Sequence, residues 1–202
     1  MADLRILSLG AGVQSSTLAL MMERGEVQKP DACIFSDTMS EPKAVMEWLE
    51  WLKKQLSFPI HIVSKGNLRQ DTIDAATGVG KYKYVTIPVY TVNAETQKKG
   101  LLRRQCTFDY KIAVVNKKVR DLLGLKKYKH VKKGTEVEMY MGISYDEVTR
   151  MRTNQVKYIK NVYPLVDLKM RRQDCINWME NYGYPKPPRS ACTFCPFHSN
   201  DE

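Results

Sequence analysis

Residues 4–16 read Leu-Arg-Ile-Leu-Ser-Leu-Gly-Ala-Gly-Val-Gln-Ser-Ser, an apolar run that leads into a glycine-rich turn. The apolar part, residues 4–9, predicts a buried β-strand that stops at Gly10. Residues 17–24 are rich in helix formers and precede Gly25, so they predict a helix. A glycine-rich loop between a strand and a helix presents backbone N–H groups at the positive end of the helix dipole. This arrangement favours phosphate as a ligand, although a tight turn also needs glycine for steric reasons alone.

The alternation of strand and helix continues along the next part of the chain. Residues 32–36 predict a second buried strand, which is followed by Asp37-Thr38. Ser40 is placed to cap a helix whose first turn holds Pro42, and residues 59–63 predict a third strand. Because each return between parallel strands needs a helical crossover, this order predicts an α/β domain of three layers. The helix between the last two strands has an apolar stripe at Val45, Trp48, Leu49, Leu52 and Leu56.

The rest of the chain is less regular. Residues 66–104 show no clear periodicity, which is typical of functional or mobile segments. We divide the chain into a main α/β domain, residues 1–170, and a C-terminal helix with a cysteine-containing tail, residues 171–202, in the same compact unit. The remaining predicted elements are a helix at 107–123 that ends at Gly124, strands at 138–143 and 156–162, and a short helix at 174–182.

Length and composition limit the class of protein. The 202 residues are 43% hydrophobic and 27% charged, which is typical of one globular domain. No apolar run approaches the roughly 18 residues that span a bilayer, and the acidic start does not resemble a secretory signal. We therefore expect a cytoplasmic protein without a membrane partner. The formal net charge of +10 favours nucleic acid or a phosphate-bearing substrate as partner, or reflects a solvated basic surface.

Three types of phosphate-binding loop can be compared with residues 10–16. A Walker loop needs a lysine before its final serine or threonine, and this loop has none. A dinucleotide-binding loop needs a third glycine where Ser15 stands. The PP-loop, Ser-Gly-Gly-x-Asp-Ser, matches at Gly12 and Ser15, with Gln14 in place of its aspartate. The segment therefore resembles the PP-loop, which grips the pyrophosphate of ATP.

Further motifs, in the same order along the chain, extend this resemblance to the PP-loop ATP pyrophosphatase superfamily. Within it, the chain resembles the phosphoadenosine phosphosulfate reductase-like branch that phages and bacteria often encode. Residues 35–38, Phe-Ser-Asp-Thr, resemble the Asp-Thr of the second strand beside the adenosine pocket. Residues 104–111 are similar to Arg-x-Cys-Thr-x-x-x-Lys. Residues 142–150 are similar to Gly-x-Arg-x-x-Glu-Ser-x-x-Arg, with Ser144 in place of the first arginine and with Arg150 one residue closer to the glutamate.

The resemblance implies a Rossmann-like, mostly parallel sheet that binds an adenine nucleotide, ATP with Mg²⁺. Members either adenylate a substrate with release of pyrophosphate, often before sulfur transfer to a nucleobase, or reduce a sulfonucleotide. The assimilatory reductases carry a C-terminal Glu-Cys-Gly-Leu-His nucleophile that this sequence lacks, so adenylation is the first hypothesis. The residues that the resemblance places at the nucleotide are Ser8, Gly10, Ala11, Gly12, Gln14, Ser15, Ser16, Asp37, Thr38 and Gly142.

Lys111, Arg150 and Arg152 are the cations expected near the phosphates. Arginine binds phosphate oxygens bidentately and lysine acts as a point charge, so both would neutralise charge that develops during adenylyl transfer. The alternative is that these side chains are solvated surface charges. Lys111 and Arg150, together with Cys106, are the catalytic candidates. The basic and aromatic residues at 81–84 suit base stacking and phosphate contacts, so tRNA or DNA is the expected macromolecular partner.

The five cysteines favour metal or redox chemistry over a disulfide framework, since no export signal is expected. Cys192 and Cys195 form a C-x-x-C followed by proline, which is common in iron–sulfur turns, although zinc and redox pairs share the spacing. The resemblance adds Cys106 as a third ligand and leaves Cys175 and His198 as alternatives for the fourth. A [4Fe–4S] cluster is favoured over Zn²⁺.

Three functions are compatible with the sequence. The first is an ATP-using enzyme that adenylates a nucleobase or nucleic acid, linked to sulfur transfer from a donor protein. The second is a sulfonucleotide reductase. The third is a non-catalytic, basic nucleic-acid-binding protein with a zinc knuckle, in which Gln14 marks a degenerate loop. The resembling proteins usually continue beyond such a tail, which favours a short member or a truncated form, and a homodimer is compatible with each function.

Overall fold

The computed structural model describes residues 2–79, 84–126 and 129–197. A five-stranded sheet has the order β3-β2-β1-β6-β7, and a separate hairpin pairs β4 with β5. The strands are β1 Leu4–Leu9, β2 Ala32–Asp37, β3 Ile60–Ser64, β4 Tyr90–Val92, β5 Lys99–Leu101, β6 Val137–Met141 and β7 Ile159–Val162. The α-helices are α1 Val13–Glu23, α2 Lys43–Gln55, α3 Leu68–Thr77, α4 Ala113–Leu122, α5 Pro164–Asp167 and α6 Arg172–Asn181. A π-helical segment, Thr107–Ile112, runs into α4, and a 3-10 segment, Tyr145–Arg150, follows β6.

The five-stranded sheet is parallel throughout, which confirms the predicted α/β fold. From β1 the chain moves outward through β2 to β3, and it then returns to the other side of β1 to form β6 and β7. Leu7 of β1 is thus in register with Cys33 on one side and with Tyr140 on the other. The direction of winding therefore changes between β1 and β6. In open α/β sheets, ligands bind at the carboxyl ends of the strands beside this point.

Alternate residues of β1 face two different cores, as the two-residue period of a strand requires. Leu7 and Leu9 are buried in a core that also contains side chains of α1, α2 and α6. Ile6 is buried on the opposite face, against Val115 and Val119 of α4. Helices therefore cover both faces of the sheet, and the predicted three-layer arrangement is confirmed.

Two helix starts differ from the sequence prediction. The first helix begins at Val13 rather than at residue 17, because Val13 is buried in the core and holds the first turn in place. The helix α2 begins at Lys43 after Pro42, its N-cap residue, and Ser40 does not cap it. Pro42 has an extended ψ of 146°, so the helical backbone starts immediately after it. The predicted apolar stripe of α2 is buried at Val45, Trp48, Leu49 and Leu52.

The segment 66–104 contains two elements that were not predicted. The first is α3, which begins where the side chain of Asn67 accepts a hydrogen bond from the Gln70 N–H at 3.0 Å. The second is the β4–β5 hairpin, whose side chains are exposed and give no apolar pattern. Residues 81–83 of the basic and aromatic stretch lie outside the described residues. Of the helices that the structure describes, none combines the length and the apolar character that crossing a membrane would require.

Candidate nucleotide site

The first turn of α1 lies at the carboxyl end of β1. Its N-cap is Gly12, which has no side chain to cap the first backbone N–H groups. The loop is held from within, because the Ser15 hydroxyl accepts a hydrogen bond from the Gly10 N–H at 3.2 Å and faces the Gly12 carbonyl at 3.4 Å. Ala11 adopts a left-handed conformation, with a φ of 55°. The turn therefore directs uncapped helix N–H groups toward the carboxyl edge of the sheet.

Gly142, which follows β6, closes one side of this loop. A Cβ atom at position 142 would lie 2.7 Å from the Ser15 Cα and 2.8 Å from its backbone nitrogen. Only glycine allows this approach between the end of β6 and the first turn of α1. Gly142, which the resemblance places at the nucleotide, therefore makes a direct backbone contact with the loop, across the point where the winding changes direction.

Gln14 connects the loop to two other segments. Its amide nitrogen lies 3.4 Å from the Ser144 hydroxyl and 3.3 Å from a carboxylate oxygen of Glu147, and it can donate to both. Its amide oxygen accepts a hydrogen bond from the Arg172 guanidinium at 3.3 Å. Gln14 and Ser144 are two of the positions at which the chain departs from the PP-loop motifs, and here they contact each other. A neutral amide–hydroxyl contact thus stands where those motifs have an aspartate and an arginine.

The segment after β6 is held by short-range charges. The Ser144 hydroxyl donates to Asp146 and lowers the pKa of that carboxyl, and the Arg172 N–H, at 3.1 Å, acts in the same direction. Arg150 forms an ion pair with Glu147, and its side chain is largely exposed. The predicted phosphate cation Arg150 therefore lies in the segment that follows β6, where a carboxylate already neutralises it. To bind a phosphate, it must exchange this partner.

The end of β2 lies on the other side of the β1 loop. Asp37 accepts a hydrogen bond from the Met39 N–H at 2.7 Å, and Met39 has a left-handed φ of 54°. The Thr38 hydroxyl is fully buried and donates to Glu41 at 3.2 Å. Asp37 and Thr38 thus form a tight turn at the end of β2, beside the β1–α1 loop.

Glu41 is a buried carboxylate that the sequence analysis did not select. Its side chain is 1% exposed, and its Oε2 has no hydrogen-bond partner among the described residues. Its Oε1 lies 3.7 Å from the Lys111 ammonium and 3.8 Å from the Cys192 sulfur. The π-helical segment presents Lys111 here, at the end of β2. Lys111 and Arg150 therefore lie at the ends of β2 and β6, on the two sides of the β1 loop.

The C-terminal tail crosses this edge of the sheet. The Ser190 hydroxyl donates to the Gly10 carbonyl, and the Thr193 N–H donates to the Ser40 carbonyl at 2.9 Å. The Cys192 sulfur lies 3.3 Å from the Thr38 hydroxyl. The tail is thus one wall of the site, and its contacts were not predicted because they join residues that are far apart in sequence.

Burial and several neighbouring groups shift the pKa of the Cys192 thiol. Burial raises its pKa, and the Glu41 carboxylate and Cys106 act in the same direction. The contact with Thr38 and the ammonium of Lys111 oppose this shift. The net direction is upward, so Cys192 is a protonated thiol at neutral pH.

Three predicted site residues occupy other environments. Ser8 lies within β1, between Ile34 and Met141 of the neighbouring strands, and is half-buried. The Ser16 hydroxyl is fully buried and accepts a hydrogen bond from the Trp48 indole at 2.9 Å, so Ser16 faces the core. Arg152 lies beside β7, in a groove with a different set of lining residues.

The cysteines do not form one group. Cys106 and Cys192 both pack against the small core of Leu68, Ile87 and Tyr110. Cys175 is fully buried in the core between α1 and α6, and burial raises the pKa of its thiol to about 12. Among residues 2–79, 84–126 and 129–197, no set of three or more Cys, His, Asp or Glu side chains is arranged to hold a metal ion.

The described residues therefore do not fit the iron–sulfur or zinc site that the resemblance implies. Cys175 lies apart from the other candidate ligands, because α6 places its side chain in the core. The alternative fourth ligand, His198, lies outside the described residues.

Comparison with known proteins gives one informative result. No family profile and no curated protein sequence matches the chain. Among solved structures, the chain is similar to the phosphoadenylyl-sulfate (PAPS) reductase from Candida auris, solved as a phosphate complex. The TM-score is 0.57 at 10% sequence identity, and the match covers 94% of this chain and 81% of that chain. The chain therefore shares the Rossmann-like α/β fold of a PAPS reductase.

Proposed function

We propose that this protein is an enzyme that binds an adenine nucleotide at the β1–α1 loop. The observation that carries the proposal is the uncapped first turn of α1, fixed by the contact between Gly142 and Ser15 beside the change of winding. Uncapped N–H groups at a helix start bind phosphate through hydrogen bonds and the helix dipole. The fold likeness to a reductase solved with phosphate supports this proposal.

The chemistry that we propose is adenylation of a nucleobase or nucleic acid, with release of pyrophosphate and subsequent sulfur transfer. The loop N–H groups would hold the phosphates of ATP, and Asp37 and Thr38 would lie at the nucleoside. Lys111 and Arg150 flank the loop and would neutralise the charge that develops on the leaving pyrophosphate. The protein residues carry each of these roles, and no step uses a metal cluster.

A reductase that acts on a sulfonucleotide is the second candidate, and the tail thiol favours it. Cys192 lies at the carboxyl end of β2, next to the proposed nucleotide position, and its burial together with the Glu41 carboxylate holds it in the protonated form. Once its proton has left, the Cys192 sulfur would attack the sulfur of a bound sulfonucleotide, forming an S–S bond while the S–O bond to the nucleotide phosphate breaks and the nucleotide leaves. An external dithiol, the reductant, would then attack the Cys192 sulfur, release sulfite and restore the thiol as the dithiol becomes a disulfide. The candidate enzymes therefore differ in substrate and in the use of Cys192.

Calorimetric titration of the full chain with a non-hydrolysable ATP analogue and with PAPS tests the binding step. We expect one of the two to bind in the micromolar range, and GTP to bind at least tenfold more weakly. Pyrophosphate release from ATP would support adenylation, whereas sulfite release from PAPS that is lost in Cys192→Ser would support reduction. If neither nucleotide binds at millimolar concentration, the proposed function is wrong.

Lys111→Met and Arg150→Met test the roles of the two cations. Each is expected to lower kcat more than it raises KM, because the charge that it neutralises develops during the reaction. Lys54→Met, an exposed lysine of α2, is the matched control and should leave both constants unchanged.

A further inference from the structure

A second concave surface lies along β7, the edge strand of the sheet next to β6. We call it the edge groove. Its volume is about 660 Å³, which falls within the range of about 300–1,000 Å³ for ligand sites. The residues that carry the argument are Arg152, Asn154, Lys157, Lys160, Asn161 and Tyr163. Of these, only Arg152 belongs to the cations that the sequence places near the phosphates of the nucleotide.

Side-chain hydrogen bonds build the wall of the edge groove. The Tyr163 hydroxyl accepts from the Arg152 N–H at 3.0 Å and donates to the Arg152 carbonyl at 2.6 Å. The Asn161 amide donates to the same carbonyl at 2.8 Å, and the Asn154 amide donates to the Asn161 oxygen at 3.0 Å. The segment after Arg150 is thus folded back onto β7 by specific polar contacts, so the shape of the groove is fixed.

The edge groove is positively charged. Arg152, Lys157 and Lys160 are exposed and line it, and no carboxylate among the described residues does so. The described side chains also provide no salt bridge to these three cations. The whole chain carries a net charge of +10, which attracts polyanions at long range, and the three cations of the groove concentrate positive charge at one place. Its chemistry fits a polyanion.

We propose that the edge groove binds single-stranded nucleic acid. Its three cations would contact successive phosphates. The wall uses both amide hydrogens of Asn161 and one of Asn154, so the second amide hydrogen of Asn154 would face the edge of an unpaired base. A single strand presents such an edge to a concave site, whereas a duplex hides it within its own pairs. A phosphodiester chain with unpaired bases therefore uses both the charge of the groove and this amide hydrogen, and an acidic peptide offers no base edge.

The position of the groove connects this binding to the candidate site. Arg152 is two residues from Arg150, and β7 is adjacent to β6, whose end contacts the β1–α1 loop. A strand held along β7 would bring an unpaired base toward the nucleotide. This inference adds a substrate-binding surface to the proposed function. Its catalytic role rests on that function, whereas the binding of a single strand does not.

Fluorescence anisotropy of the full chain with labelled single-stranded RNA, single-stranded DNA and a DNA duplex of the same sequence tests the proposal. In Lys157→Gln/Lys160→Gln, we expect the affinity for a single strand to fall at least tenfold. The slope of log K against log salt should fall by about 1.4, since each phosphate contact to a single strand contributes roughly 0.7. The control Lys53→Gln/Lys54→Gln removes the same charge from α2 and should change the affinity less than twofold.

Binding of RNA or of DNA single strands supports the proposal and identifies the sugar that the groove accepts. Tighter binding of the duplex, equal losses in the two double variants, or equal competition by poly-glutamate would overturn it. The same proteins are titrated with the ATP analogue. If the lysines of the groove are needed for single-strand binding while no nucleotide binds, the proposed function is wrong and the groove proposal is supported. If ATP binds normally and Lys157→Gln/Lys160→Gln leaves the single-strand affinity unchanged, only the groove proposal is wrong.

Discussion

Gly142 and Ser15 are in backbone contact, so that a Cβ atom at position 142 would overlap the first turn of α1 at 2.7 Å from the Ser15 Cα. The two residues belong to segments that follow β6 and β1, the strands between which the winding changes direction. The contact fixes the helix start on which the proposed phosphate site depends. It is therefore the most direct place to test that site.

Replacing Gly142 with alanine should separate these segments. The neighbouring atoms are backbone and cannot rotate away, so we expect a loss of about 1–3 kcal/mol in the free energy of unfolding, as for other overpacked sites. We also expect nucleotide affinity to fall at least tenfold. Urea denaturation and calorimetric titration measure the two effects.

Gly100→Ala is the control for this change. A Cβ atom there would meet only the Thr91 hydroxyl, at 3.0 Å, on the exposed hairpin. We expect its effect on stability to stay within about 0.5 kcal/mol. Wild-type nucleotide affinity in Gly142→Ala would show that binding does not need the tight contact.

Gln14 should contribute to stability through its three partners. Gln14→Met keeps the length of the side chain and removes its contacts to Ser144, Glu147 and Arg172, so we expect destabilisation of about 1 kcal/mol in urea denaturation. Gln173→Met, which removes one exposed contact to Asn177, should cost less than about 0.5 kcal/mol. Equal effects of the two substitutions would show that Gln14 does not connect the segments.

The carboxylate of Glu41 should slow the chemical modification of Cys192. It helps to raise the pKa of this thiol, and only the thiolate reacts with iodoacetamide. In Glu41→Gln, we expect the alkylation of Cys192 at pH 8 to become several-fold faster, as measured by mass spectrometry of the Cys192 peptide. Glu50→Gln, on the exposed side of α2, should leave the rate unchanged. An unchanged rate in Glu41→Gln would assign the shift to burial alone.

Asp146 should contribute a pH-dependent part of the stability. Its pKa is lowered in the folded protein, so its contribution is present above the unfolded pKa and is lost as the pH falls through the folded pKa. We expect Asp146→Asn to be less stable than the wild type at pH 6 by about 0.5 kcal/mol, given its exposure, and the difference to shrink below pH 3.8. Unfolding in urea from pH 2.5 to pH 7 measures this, with Asp121→Asn as control. A difference that stays constant with pH would contradict the assignment.

The elements with strong apolar patterns could be predicted from the sequence. β1 is a short apolar run that stops at a glycine, and the buried residues of α2 recur at the period of a helix. The β4–β5 hairpin has exposed side chains, so it leaves no such pattern. The π-helical turn depends on a hydrogen bond from Ser36 to the Tyr110 carbonyl, which joins distant parts of the chain.

The candidate site was predictable only in part, for a similar reason. The loop and Gly142 carry motifs, whereas Glu41 and Ser190 acquire their roles through contacts with distant residues. The departures at Gln14 and Ser144 are visible separately in the sequence, but their contact is visible only in the fold. A cysteine on a short helix can be a metal ligand or a core residue. Only the burial of Cys175 in the structure identifies it as a core residue.

The bond from Ser190 to Gly10 joins residues 180 positions apart. A ribosome delivers the chain from its amino end, so the β1–α1 loop emerges long before its outer wall. A nascent chain can assemble β1, β2 and β3 early, yet this edge of the sheet stays open until residues 190–193 have emerged. The loop therefore acquires its complete surroundings only after this late segment has docked.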